Sequence, residues 1–208
     1  MLSLLAALLS TTAALQALVR PAAAQGVPLI DPYAQGAAEI ASCISRLPSN
    51  AVVYVQNGTS GVFNGVPLLP TTTGFFPTSS ACAGGYGLNT YPKNLIAINL
   101  GDATLWGGRF QAITCSPFTN YDSVEWLGTG CPVTAAEYGC VFGNDDHASN
   151  FGGTPGVDTD PCVGIPGVTS IQSAAIMNNV QTSVAYVLVG SWNAVPSGNV
   201  FGYAYSYT

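Results

Sequence analysis

The chain has 208 residues, only 7% of them charged, and 4 basic against 10 acidic side chains leave a net charge of −6. That balance argues against a nucleic-acid-binding protein, which needs a basic footprint to displace counterions, and against a polybasic membrane-surface module. Hydrophobic residues at 48%, with 10% aromatics, can build a core and set the chain apart from disordered sequences, while 24 glycines and 14 prolines favour turns and short strands over helices.

Met1 to Leu18 is almost wholly apolar, and Ala22 and Ala24 form a small-residue cleavage pattern before Gln25. Residues 1–24 therefore read as a secretory signal peptide, although its first residues lack Lys and Arg and Arg20 sits beside the cut. The competing reading is a retained apolar helix, an anchor or filament stem, at the short limit for a membrane span. Without a second long apolar run, the expected mature protein is secreted, at the cell surface or in the extracellular space, with no membrane span after processing. The six cysteines, Cys43, Cys82, Cys115, Cys131, Cys140 and Cys162, all follow the cut. An even number in an oxidising compartment implies three disulfides, and every connectivity is open. With no CxxC pair and one histidine, zinc is disfavoured. The sequon Asn57-Gly58-Thr59 makes Asn57 a candidate N-glycosylation site.

In chain order, Asp31-Pro32 opens the best helical candidate, with Asp31 as cap and Pro32 in the first turn. Ile40, Cys43, Ile44 and Leu47 follow at helical spacing, and the helix should end before Pro48. Everything beyond reads as strands and turns. Ala51–Gln56 is a short strand closed by Asn57-Gly58. Residues 64–85, rich in Pro, Thr, Ser and Gly, read as a long loop and a candidate for O-glycosylation. Leu95–Leu100 carries apolar residues on both faces. Further strands are expected at Arg109–Thr114, Ser123–Leu127, Gly139–Phe142, Val168–Gln172, Val184–Gly190 and Asn199–Tyr207. Val184–Gly190 is an almost continuous apolar run of the kind found in fully covered strands. Strands at this spacing indicate an all-β antiparallel sandwich or jelly roll with a short N-terminal helix.

Asn144, Asp145, Asp146, Asp158 and Asp160 cluster within an acidic loop. Such clustering repels itself unless a cation or solvent screens it, and calcium takes about six to eight oxygens from groups of this kind. Asp122, in a separate turn, adds a further ligand. The competing reading is a solvated turn in which Asn and Asp cap the local backbone. The spacing fits no EF-hand. His147 stands in the same loop, but no G-x-S-x-G elbow or HExxH accompanies it. Asp122 and Glu125 form the one carboxylate pair to weigh for glycoside hydrolysis. Residues three apart in a strand point to opposite faces, which weakens that pair. No catalytic residue is assigned and the chain is read as a non-enzyme.

In the last strand Phe201, Tyr203, Tyr205 and Tyr207 alternate with Gly202, Ala204 and Ser206, so one face is aromatic and the other small. That aromatic face reads either as core beneath the opposite sheet or, with Trp126 and Trp192 (and Trp106), as a platform for sugar stacking or subunit packing. A surface this poor in charge is also weakly defended against self-association, as suits fibre, sheath and wall components.

A string of residues carries a family resemblance. Ile113-Thr114-Cys115 is followed by Tyr121-Asp122-Ser123-Val124, then by Gly128-Thr129-Gly130-Cys131-Pro132. Cys140 precedes Gly143-Asn144-Asp145-Asp146, and Cys162 comes next. The run Ala185-Tyr186-Val187-Leu188-Val189-Gly190-Ser191-Trp192 precedes a close at Gly202-Tyr203-Ala204-Tyr205. From about residue 94 the chain resembles a pre-peptidase C-terminal domain, in its cysteine-bearing secreted or cell-surface form. The resemblance implies a jelly-roll sandwich over 94–208 without catalytic residues, and a role in surface attachment and binding, with calcium sites in some related domains. Residues 25–93 would then be a helix and loop-rich segment packed on the sandwich. Two features depart from the family pattern: no catalytic domain precedes the sandwich, and Ala148–Asp160 lengthens the acidic loop. Order along the chain suggests Cys115–Cys131, Cys140–Cys162 and Cys43–Cys82, with the other connectivities still open.

The function expected from these readings is that of a secreted, non-catalytic surface or extracellular-matrix structural protein that self-assembles. The alternative is a calcium-assisted module binding glycans or another partner. The expected partners are copies of itself or wall and matrix glycans, and calcium is the one cofactor considered.

Overall fold

Eleven regular elements follow one another in the computed structural model, which describes residues 31–68, 76, 82, 93–101, 107–146, 162, 164–169, 171–193 and 199–208. They are α1 (Ala34–Arg46), β1 (Val53–Asn57), β2 (Ser60–Pro67), β3 (Lys93–Asn99), β4 (Arg109–Ile113), β5 (Ser123–Gly128), α2 (Ala135–Tyr138), β6 (Cys140–Asn144), β7 (Ala174–Asn178), β8 (Val184–Ser191) and β9 (Val200–Tyr207). Two sheets result. The larger, sheet A, has the order β1-β3-β8-β5-β6, and the smaller, sheet B, the order β2-β9-β4-β7. All pairings are antiparallel except β1 with β3, which run parallel from Val53↔Leu95 to Asn57↔Asn99. The molecule is thus a disulfide-bonded, mostly antiparallel two-sheet β-sandwich with one substantial N-terminal helix.

The layers explain the sequence pattern. Between the sheets, Ile96, Ile98, Leu127, Val187 and Val189 of sheet A meet Phe110, Phe201, Tyr203 and Tyr205 of sheet B. On the outer face of sheet A a second core forms, where Ile40, Cys43 and Leu47 at the end of α1 cover Leu95, Ala97, Trp126, Tyr186 and Leu188. Sheet A is therefore covered on both faces, and β3, β5 and β8 are buried along their whole lengths. This is why β8 is a continuous apolar run rather than an alternating one. Lys93 at the head of β3 is also buried. Its Nζ lies 5.3 Å from the centre of the Trp126 ring, a cation–π contact. Burial lowers the Lys93 pKa to about 8.

Several expectations are corrected. The helix begins at Ala34 rather than at Pro32, and no side chain caps its N-terminus. Residues 32 and 33 form a turn, and the Tyr33 carbonyl accepts from Asn99 Nδ2 at 2.8 Å instead. The expected loop at 64–85 begins with strand: β2 runs from Ser60 to Pro67 and pairs with β9 across a bulge between Phe63 and Val66. The strand expected at Val168–Gln172 is displaced to β7. Gly167 has φ +80, and the Gln172 side chain is held by Ser116 and Thr119, its Oε1 accepting from the Ser116 N–H and its Nε2 donating to the Ser116 and Thr119 carbonyls. That pins the segment as a loop, and pairing resumes only at Ala174↔Ile113.

The disulfides are also corrected. The bonded pairs are Cys43–Cys131, Cys82–Cys140 and Cys115–Cys162, none of them a pairing suggested by order along the chain. The physical reason is the layering. Cys43 faces sheet A from α1, where the segment after β5 passes with Cys131. Cys115 lies in the inter-sheet core, which Cys162 joins. Cys43, Cys82, Cys131 and Cys140 all gather at the outer core of sheet A, away from Cys115 and Cys162, so Cys115–Cys131 and Cys140–Cys162 would each join different cores. Within the outer core α1 brings Cys43 to Cys131 and leaves Cys82 to Cys140.

Candidate metal centre

One end of the sandwich gathers the start of β5, the end of β6, the start of β7 and the end of β8. In sheet A the register sets Ser123 opposite Ser191, and Glu125 opposite both Val189 and Asn144. Asp122 just before β5 and Asp145 and Asp146 just after β6 therefore arrive side by side. Their ligand oxygens all lie within 4.8 Å of one another. Asp145 is only 6% exposed, and its Oδ1 has no hydrogen-bond partner; Oδ1 of the half-buried Asp122 is likewise unpartnered.

A hydroxyl network fixes this corner. Thr114 Oγ1 and Ser123 Oγ are 2.7 Å apart, and Thr114 Oγ1 accepts from the Ser173 N–H at 3.0 Å. The Ser173 hydroxyl donates its single proton between the Ser123 and Asp145 carbonyls, a shared bond. Asn144, wholly buried, donates Nδ2 to the Ala174 carbonyl at 2.8 Å and braces β6 against β7. It serves here as a strut one residue from the carboxylates.

The electrostatics are those of crowded like charges at a partly buried corner. Burial first, then the charges of Asp122 and Asp146, push the Asp145 carboxyl up to about 7. Burial and the charge of Asp146 raise Asp122 as well. Like charges at this range disfavour one another's ionised form, and a cation among them reverses that penalty. Three carboxylates supply part of the shell of about six to eight oxygens that calcium takes, leaving positions for carbonyls, water or ligand hydroxyls. Trp192 stands at the same corner. Its backbone N–H donates to the Asp122 carbonyl at 3.1 Å, and the residue is 45% exposed.

The other site residues read from the sequence fall elsewhere. Asp158, Asp160, His147 and Trp106 lie outside the described residues. The aromatic platform is corrected: Trp126, Tyr203 and Tyr205 are buried, Trp126 beneath α1 and the two tyrosines between the sheets. Tyr203 and Tyr205 stack on Phe63 of the neighbouring strand β2 with ring centres 6.4 Å away, and sheet A covers that face. Of the four, Trp192 alone is exposed. The Asp122–Glu125 pair is not a catalytic arrangement either. Glu125 points into the inter-sheet core, fully buried, with both carboxyl oxygens unpartnered, and burial raises its pKa well above the usual range. Asn57 is exposed at the end of β1, beside the tight turn at Gly58.

Sequence reasoning missed the supporting groups. Thr134 is the N-cap of α2, the Glu137 N–H donating to Thr134 Oγ1 at 3.1 Å and the Thr134 hydroxyl donating to Glu137 Oε1 at 3.2 Å. Glu137 is also ion-paired to Arg46 of α1. The spacing Thr134-x-x-Glu137 is the signal that finds this cap. Nothing local in the sequence marks Ser173.

No family model matches the chain, and no curated protein does. Among solved structures it is similar to CorA, described as a surface-associated copper-binding protein important in copper acquisition by Methylomicrobium album BG8. That match covers 76% of this chain and 98% of the other, at 9% identity and a TM-score of 0.30. Among the described residues no helix is long and apolar enough to cross a membrane.

Proposed function

We propose that this chain is an exported, non-catalytic binding module, and that a divalent cation, calcium by the chemistry of its donors, sits at Asp122, Asp145 and Asp146 and assists recognition of glycans. The observation that carries the reading is the convergence of three carboxylates within 4.8 Å, one of them nine-tenths buried with an oxygen that nothing in the protein satisfies. A hard, all-oxygen donor set favours calcium or magnesium over softer metals, and the open coordination positions suit sugar hydroxyls. The exposed ring of Trp192 offers an apolar face to a sugar beside them.

The strand orders support a finer reading of the fold. The strands β2–β9 take the orders β2-β9-β4-β7 and β3-β8-β5-β6, the arrangement of an eight-stranded jelly roll, with β1 added at an edge. The likeness to pre-peptidase C-terminal domains gains support from the meeting of its two motifs, Tyr121–Val124 and Gly143–Asp146, at the carboxylate cluster. Three disulfides support an exported location, and the exposed Asn57 supports its use as a glycan acceptor. Self-assembly into a fibre, sheath or wall has its own support in Val62 and Phe118, 72% and 51% exposed along one cleft on sheet B.

The test is calorimetric titration of chelator-treated protein with calcium chloride, followed by a glycan array read with calcium and with EGTA. Saturable calcium binding that Asp145→Asn abolishes, with array binding lost in EGTA and on Trp192→Ala, supports the reading. Absence of calcium binding refutes it. Polymers in sedimentation velocity that persist in EGTA would favour assembly instead.

A further inference from the structure

β6 is an edge of sheet A and β7 an edge of sheet B, and between them the sandwich opens along one flank. At the end of that flank away from the carboxylates lies a groove of about 530 Å³, within the range of about 300–1,000 Å³ typical of small-ligand sites. Asn178 and Ala174 stand four residues apart on β7, so groove and carboxylate corner are separated by about 13 Å at the rise of a strand.

The lining has a definite chemistry. Val141 of β6, with Ile176 and Met177 on opposite faces of the edge strand β7, supplies an apolar floor, and exposed Asn178, Asn179, Gln181 and Thr129 rim it. No charged residue belongs to the lining. Each rim amide offers a carbonyl acceptor and an NH₂ donor, and the threonine hydroxyl does both. A ligand that meets this set must present closely spaced groups that donate and accept alike, carry no charge, and show an apolar face to the floor. Asn179 is held at φ +53, the one non-glycine residue with positive φ among those described. Asn tolerates this left-handed conformation better than most residues, and here it fixes the rim at the turn after β7.

We infer that this groove is a second binding site, for a neutral oligosaccharide, and that it works without a cation. Pyranose hydroxyls match the rim amides, and the C–H face of the ring matches the apolar floor that includes Val141. A phosphorylated or carboxylated ligand finds no cation in the lining.

The experiment uses the full secreted protein in EGTA, so that the carboxylate corner is silent. Neutral cello-, xylo-, manno- and galacto-oligosaccharides are titrated while the side-chain amide signals of Asn178, Asn179 and Gln181 and the Met177 methyl are followed by NMR. Saturable shifts of these signals with at least one sugar, weakened at least tenfold in Asn178→Leu/Gln181→Leu, support the proposal. Both substituted residues are exposed, and an unchanged melting temperature will show that the variant is folded. No shift with any of the four series overturns it, as does binding unaffected by the double substitution. An extended peptide that shifts these signals where the sugars do not would also overturn it, by making the flank a strand-addition site. Failure here leaves the calcium corner untouched, because that corner is tested only with calcium present.

Discussion

The hydroxyl of Ser173, just before β7, is bonded to the backbone carbonyl of Asp145, just after β6. This contact crosses from one sheet to the other and fixes the backbone from which Asp145 projects. The same hydroxyl is bonded to the carbonyl of Ser123, one residue beyond Asp122. One side chain thus sets the spacing of two carboxylate arms that are 23 residues apart in the chain. We expect Ser173→Ala to weaken calcium binding by about 10- to 100-fold, the usual cost of losing a group that orients metal ligands. It should also cost about 1–3 kcal/mol of stability, since the shared hydrogen bond is lost and the two buried carbonyls lose their donor. Calorimetry and urea unfolding measure the two effects separately. Calcium affinity equal to wild type would mean that the carboxylates need no such brace.

The pH dependence of the cation-free protein follows from the raised carboxyls. Asp145 titrates at about 7 when folded, whereas an unfolded aspartate titrates near 3.9. Between those values the folded protein keeps a proton that the unfolded chain has lost. By linkage, stability falls as pH rises through this window and levels off above it, once both states are ionised. Buried Glu125 acts in the same direction. In EGTA, therefore, the melting temperature should fall from pH 5 to pH 8. Asp145→Asn should flatten the fall and raise the melting temperature at pH 8, and saturating calcium should do so in wild type by binding the folded state alone. A melting temperature that climbs steadily from pH 5 to pH 8 in EGTA would contradict the burial of these acids.

The close seating of α1 gives a second packing test. Gly36 sits so near β3 that a Cβ there would lie 2.2 Å from Asn99 Oδ1. Asn99 cannot simply yield, because its Nδ2 donates to the Tyr33 carbonyl and its Oδ1 accepts from the Gly101 N–H. Overpacking of this kind costs about 1–3 kcal/mol, although alanine is otherwise the better helix former. Gly36→Ala should therefore lower the urea midpoint without changing the slope of the transition. A midpoint raised above wild type would mean that α1 lifts from the sheet at little cost.

How much of this was legible in the sequence depends on the range of the cause. Strands β3 and β8 could be read because burial on both faces leaves a local mark, apolar residues without alternation. Leu47 and Cys43 marked the buried stripe of α1 for the same reason. Asp122, Asp145 and Asp146 could be chosen by chemistry, but their convergence depends on the β5–β6 register, which no short window encodes. The strand at 174–178 was missed because Val168–Gln172 has the better β-forming composition. Its fate is decided by Gln172 bonding to Ser116 and Thr119, more than fifty residues away. Tyr203 and Tyr205 have the alternation of a surface platform and of a core face alike. Only the packing of sheet A over β9 decides between the two.

The disulfide between Cys43 and Cys131 supplies the last prediction. It joins α1 to the segment after β5 across a sequence separation of 88 residues, beside the Arg46–Glu137 ion pair. Closing a loop of that size stabilises the fold by about 4–5 kcal/mol in the chain-entropy model. The exposed ion pair adds little by comparison. Cys43→Ser/Cys131→Ser should accordingly lose most of that amount, whereas Glu137→Gln should leave the stability little changed. The loss should be local in its onset. Hydrogen exchange should quicken first in α1, which is then held by the contact of Ile40 and Leu47 with Leu95, Ala97 and Leu188, by Glu39 accepting from Ser183 and Tyr186, and by the exposed Arg46–Glu137 pair. Exchange in β8, covered from both sides, should stay slow until global unfolding. Equal acceleration in α1 and β8 would show that the helix and the sandwich unfold as one unit.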